Sequence, residues 1–159
     1  MHRNVRAAVA AVLLAAALGA ASIGSTALAS AAVGPLRAHA AHALKATDTA
    51  HLHYVRSSGS MLLDEGSATG TIPGRMRASV EVGATISGTF VLYLHGGTIS
   101  GHGSAIPHGS GVYESFKGTL VVTGGSGRYR HAHGRANLYG TFNRSSYALL
   151  VQTAGTLRY

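Results

Sequence analysis

The chain of 159 residues has no cysteine. The disulfide framework common in small exported domains is therefore excluded, and stability has to come from packing and a closed hydrogen-bond network. Carboxylates are scarce, five Asp and Glu against thirteen Lys and Arg, with a formal net charge of +8. Aromatics are few as well, seven Tyr, three Phe and no Trp, which is thin material for the two aromatic girdles of a membrane barrel. There is no run of Lys or Arg of the kind that marks a nucleic-acid tail. The P-loop pattern and the G-x-S-x-G nucleophile elbow are also missing: Arg128 and Tyr129 follow the one glycine cluster where either would have to continue.

What is present begins with an export address. "MHRNVR" is a basic start, "AAVAAVLLAAALGAAS" is an uncharged apolar run, and Ala27-Leu28-Ala29 is an A-x-A cleavage site, so residues 1–29 read as a signal peptide with an apolar helix, cleaved before Ser30. The run is too short and too Ala-rich for a preferred membrane span, so no stable membrane insertion is expected after cleavage. Arg3 and Arg6 stand apart, which fits general secretion rather than twin-arginine export. The mature chain keeps eleven Lys and Arg against five acids. Arg far exceeds Lys, and Ala and Gly abound, a GC-rich coding bias that points to a bacterial source. Residues 30–50 are Ala-rich with one proline and read as a flexible linker, with room for a short helix over Leu36 to Leu44.

From His51 to Tyr159 the pattern has period two. "GRMRASVEVG" puts Met76, Ala78, Val80 and Val82 on one face and Arg75, Arg77, Ser79 and Glu81 on the other. Ile86, Phe90, Leu92 and Leu94 share a face, as do Phe116, Gly118, Leu120 and Val122; Ala136, Leu138, Gly140 and Phe142; and Tyr147, Leu149, Val151, Leu157 and Tyr159. Turn signals at Gly83, Gly96-Gly97, Pro107-His108-Gly109, Gly124-Gly125 and Asn143-Arg144 separate them at the spacing of an all-β sandwich or barrel. Glycines inside strands, at 88, 101, 118 and 140, favour the barrel, whose corners need them, and closure removes exposed edges. The expectation is a single all-β domain, an antiparallel closed β-barrel of about eight strands.

"LVVTGGSGRYRHAHGRANLYGTF" resembles the glycine-rich motif of the allene oxide cyclase and dirigent protein superfamily, in which a strand runs into T-G-G-[ST]-G, then an aromatic, then a glycine that opens the next strand. Here these are Thr123 to Gly127, Tyr129 and Gly134, with Gly124, Gly125, Gly127 and Gly134 expected as structural turn residues. The similarity covers residues 117–159. It implies an eight-stranded antiparallel barrel with a lumen, commonly a homotrimer, in exported or plastid proteins that bind oxygenated lipids or phenolic radicals. The cyclase pattern includes a cysteine, which this chain lacks, and no catalytic residue carries over.

The residues offer several kinds of site. His51-x-His53 and His131-x-His133 have the spacing that puts two imidazoles on one strand face, where zinc or copper could be gripped; solvated histidines on polar faces are the alternative. Clustered histidines would also add positive charge near pH 6. Ligand-binding candidates are Tyr129, Arg135 and Tyr139 around the glycine motif, with Arg77 and Glu81, which share a strand face, as either a ligand contact or a surface ion pair. Acid and base candidates are Asp64, Glu65, Glu81 and Glu114, with Tyr54, Tyr93, Tyr113, Tyr139 and Tyr147 as donors; an enzyme of this fold would hide a carboxylate among apolar lumen residues, where burial raises its pKa. Three functions stay open. The first is binding of a small apolar or oxygenated ligand or an anionic surface polymer, with no cofactor and no nucleic acid. The second is a cofactor-free isomerase or cyclase. The third is a non-catalytic structural or outer-membrane barrel protein.

Overall fold

The computed structural model describes residues 42–159. The expected signal peptide and residues 30–41 of the expected linker lie outside the described residues. Eight strands follow one another in chain order: β1 (Ala43–Ser58), β2 (Met61–Gly70), β3 (Gly74–Val82), β4 (Ile86–Leu94), β5 (Gly97–His108), β6 (Tyr113–Gly125), β7 (His133–Asn143) and β8 (Leu149–Arg158). Each pairs antiparallel with the next, and β8 returns to pair with β1, closing the barrel. Ten residue pairs, from Ala43↔Arg158 to Leu52↔Leu149, make that seam. Closure satisfies both edges that an open sheet would leave unpaired.

Residues 43–50 correct the sequence reading. Expected in the linker, they form the first half of β1 and most of the closing seam. Their inward positions are Leu44, Ala46, Asp48 and Ala50, of which only Leu44 is a large apolar residue, so no hydrophobic alternation shows in the sequence.

Connections β1–β2, β3–β4, β5–β6 and β7–β8 lie at one end, called upper below; the other three connections, with Ala43 and Arg158, lie at the lower end. The inward face is apolar: Ala50, Leu52, Ala68, Ala78, Val80, Ile86, Phe90, Leu92, Ile99, Phe116, Leu138, Phe142, Leu149, Val151 and Leu157 are all buried in one core. All three phenylalanines of the chain are among them. The outward face is the reverse, carrying Lys45, Arg75, Arg77, Glu81, Lys117, Arg135 and Arg158 among serines, threonines and histidines.

Phe90 and Phe116 explain two of the strand glycines. Phe90 faces Gly101 directly across β4 and β5, and Phe116 faces Gly140 across β6 and β7. A Cβ on Gly101 would come within 2.9 Å of the Phe90 ring, and one on Gly140 would run into the Phe116 ring and the Leu150 carbonyl. The rings fill the bore only because their cross-strand neighbours have no side chain. Bulges at Val55 in β1 and Thr123 in β6 add curvature.

Candidate functional site: the barrel lumen and its ends

The lower half of the bore holds a cavity of about 90 Å³, large enough for several waters or a small organic molecule. Its wall is aliphatic and aromatic, including Ala46, Ala50, Ile72, Phe90, Ile99 and Leu120, with Asp48 and Thr153 as inward polar groups. Asp48 and Thr153 are direct cross-strand partners on β1 and β8. Asp48 Oδ1 accepts the Ile72 backbone N–H at 2.6 Å, which ties the β2–β3 turn to β1. Burial raises its pKa, and the Ile72 and Thr71 N–H groups pull it back. A second cavity of about 60 Å³ occupies the upper half, between Leu52, Ala78, Ile86, Phe116 and Leu149. Met76, Phe90, Leu120 and Val151 line both and form the partition.

The upper end buries two acids. Asp64 is 1% exposed, faces inward between Tyr54 on β1 and Ala78 on β3, and its Oδ1 has no hydrogen-bond partner among the described residues. Desolvation raises its pKa to about 6, against a smaller opposing pull from His53. Tyr147 stacks on Tyr54 at 5.3 Å and approaches Phe142 at 6.2 Å. Its backbone sits at φ +56°, the single positive-φ non-glycine residue described. Glu114, 4% exposed, accepts from Arg144 Nη2 at 2.8 Å, so its charge is neutralised at the rim. Asp64 and Glu114 were both among the sequence candidates; Asp48 was not.

At the lower end the glycine motif is a structural connector. Ser126 is stitched to the β4–β5 hairpin: Thr98 N–H donates to Ser126 Oγ at 3.0 Å, and Ser126 N–H donates to the Thr98 carbonyl at 2.9 Å. Gly127 opens a 3-10 turn (Gly127–Tyr129) at φ +57°, the left-handed region that glycine enters without strain. Gly125 ends β6 and Gly134 lies in β7, while Gly124 has open space where a Cβ would be. Tyr129 is buried in the core with its ring 4.9 Å from Tyr159, and the Arg128 guanidinium lies over both rings. No family model, curated protein or solved structure matches this chain.

The five ligand-binding candidates do not converge. Tyr129 packs into the core at the lower end, Arg135 is exposed on β7 and also borders the lower cavity, and Tyr139 is outward on β7 with Lys117 Nζ 5.8 Å from its ring. Arg77 and Glu81 are on β3, across the barrel. The expected Arg77–Glu81 pair is corrected: Arg77 Nε donates to Glu65 Oε1 at 2.8 Å on the neighbouring strand. Direct cross-strand register, Glu65↔Arg77, wins over same-strand spacing.

The histidine pairs also separate. His51 and His53 are outward on β1 toward the upper end, whereas His131 and His133 lie at the lower end, where Arg130 donates to His131 Nε2 and the His133 ring contacts the His131 carbonyl. His133 and Ala43 share Arg158 as partner, so His51 stands eight strand residues away, about 26 Å. No group of three metal-ligating side chains occurs among the described residues.

Proposed function

We propose that this barrel is a binding protein that takes a small, mostly apolar ligand with one polar group into the lower half of its bore. The observation that carries this reading is the cavity of about 90 Å³ walled by aliphatic side chains, with Asp48 and Thr153 side by side as its inward polar groups. An apolar chamber of that kind is poorly hydrated and gains by filling with an apolar molecule, while a few fixed polar groups orient it. The volume is well below the range of about 300–1,000 Å³ for drug-sized ligands, so the ligand is small. The resemblance of Thr123 to Gly134 to the allene oxide cyclase and dirigent motif supports the same reading, since those barrels bind oxygenated molecules in a lumen. The leader sequence supports export of the mature chain.

Binding is favoured over an isomerase or cyclase activity because the most deeply buried acid, Asp64, lines neither cavity, and Asp48, the acid that does line one, has its Oδ1 held by the Ile72 N–H. The outer-membrane alternative is disfavoured by the charged and polar outward face, the inverse of a lipid-facing barrel. The test is an NMR titration with cyclopentanol. Saturable shifts at the methyls of Ile72, Ile99, Leu120 and Val151, abolished in Ala50→Leu, are expected. Absence of saturable shifts in the folded wild type would overturn the proposal.

A further inference from the structure

Charge is distributed unevenly around the outside. Every acid of the chain falls within the described residues, and three of the five, Asp48, Asp64 and Glu114, point into the barrel. The two outward acids, Glu65 and Glu81, are on β2 and β3. The outer faces of β7, β8 and β1, with the connector from Ser126 to Ala132, therefore carry no acidic side chain. Residues 1–41 contain none that could fold back to neutralise them.

The same faces carry cations. Lys45 on β1 and Arg135 on β7 flank Thr156 of β8 in one cross-strand row, about 10 Å apart across two strand spacings. Arg158 pairs with His133 in the next row toward the lower end, and Arg128 and Arg130 continue beyond it. All five Lys and Arg side chains are exposed, and none has a carboxylate partner; the two ion pairs among the described residues are Arg77–Glu65 and Arg144–Glu114. Arg128 is held in place by the Tyr129 and Tyr159 rings beneath it. The cations spread along successive rows of a sheet face, which suits a chain of repeated anions lying along the surface more than one compact anion.

We propose that the lower-end face of β7, β8 and β1 docks a linear acidic polysaccharide through Lys45, Arg128, Arg130, Arg135 and Arg158. Single-stranded nucleic acid fits less well because stacking needs free aromatic faces, and the lower-end tyrosines are committed: Tyr129 is buried, Tyr159 is stacked between it and His42, and Tyr139, farther up β7, lies under Lys117 Nζ. Carboxylated and sulfated polymers share the recognising chemistry, a row of anions on sugar units. This surface lies on the outer sheet face, with Arg135 and Thr156 also bordering the lower cavity, and it stands whether or not the lumen takes a ligand.

The experiment measures binding of the purified full chain to polygalacturonate, heparin and a single-stranded DNA at matched ionic strength. A variant with Lys45→Ser, Arg135→Ser and Arg158→Ser is compared with a control losing the same charge elsewhere, Arg56→Ser, Arg75→Ser and Lys117→Ser, with circular dichroism reporting the fold of both. At least tenfold weaker polysaccharide binding in the first variant and less than threefold in the control are expected. Equal losses in both variants, no polysaccharide binding by the wild type, or tighter binding to the DNA would each overturn the proposal. Preference between polygalacturonate and heparin identifies carboxylate or sulfate as the anion.

Discussion

Asp64 is the residue where composition and structure meet most sharply. A chain with only five acids points three of them into the barrel, and Asp64 alone of these has an oxygen that nothing satisfies among the described residues. The folded-state pKa of about 6 stands above the ordinary 3.8, so the neutral acid is the form folding prefers. Its contribution is fully present below about pH 4 and is lost as pH rises through 6. Raising the Asp64 pKa from 3.8 to about 6 corresponds to about 3 kcal/mol. Denaturant unfolding is therefore expected to show stability falling between pH 4 and pH 7, and Asp64→Asn is expected to flatten that slope and to raise stability at pH 8 by about 1–3 kcal/mol. A wild-type profile that instead gains stability across this interval would show that Asp64 is not the dominant titrating group. The sequence marked Asp64 as an acid of interest, but not as inward, because the alternation around it, Leu62, Asp64, Gly66 and Ala68, has no continuous apolar face.

Among the elements, legibility followed side-chain size. Strands β3, β4, β6 and β7 carry their large apolar residues mainly inward, with Val91, Tyr93, Val121 and Tyr139 among the outward exceptions, and their faces are readable from period two. Strands β1, β2 and β5 interrupt their inward Leu and Ile with Ala, Gly and Asp, in β5 with Gly101 opposite Phe90, and their hydropathy contrast is weak. That coupling predicts a specific energetic pattern. Gly140→Ala should lower stability by about 1–3 kcal/mol through overpacking against Phe116, and Phe116→Leu in the same chain should recover part of the loss, so that a double-mutant cycle gives a non-additive term. Additive effects would separate the two positions. The glycine connector makes a second prediction: Ser126→Ala removes the side-chain acceptor of the Thr98 amide, and should cost about 1 kcal/mol with faster hydrogen exchange at Thr98. The ion pairs, Arg77 with Glu65 across β2 and β3 and Arg144 with Glu114 at the upper rim, were beyond sequence reading because each depends on strand register or on a turn.

For the molecule as a whole, the consequence of closure is a division of labour between inside and outside. Acids and aromatics concentrate within or at the ends, cations outside, and the bore keeps an unfilled chamber above the β2–β3 turn. Closure through β1 and β8 was legible as a class of architecture, whereas the chamber was not, since no sequence pattern states how completely three phenylalanines fill a bore. The chamber is the central claim, and a crystal of the protein pressurised with xenon tests it most directly. Xenon density bounded by Ala50, Phe90, Leu120 and Val151 is expected, and its loss in Ala50→Leu with the barrel otherwise unchanged. A bore packed solid at those four side chains, with no xenon bound, would contradict it.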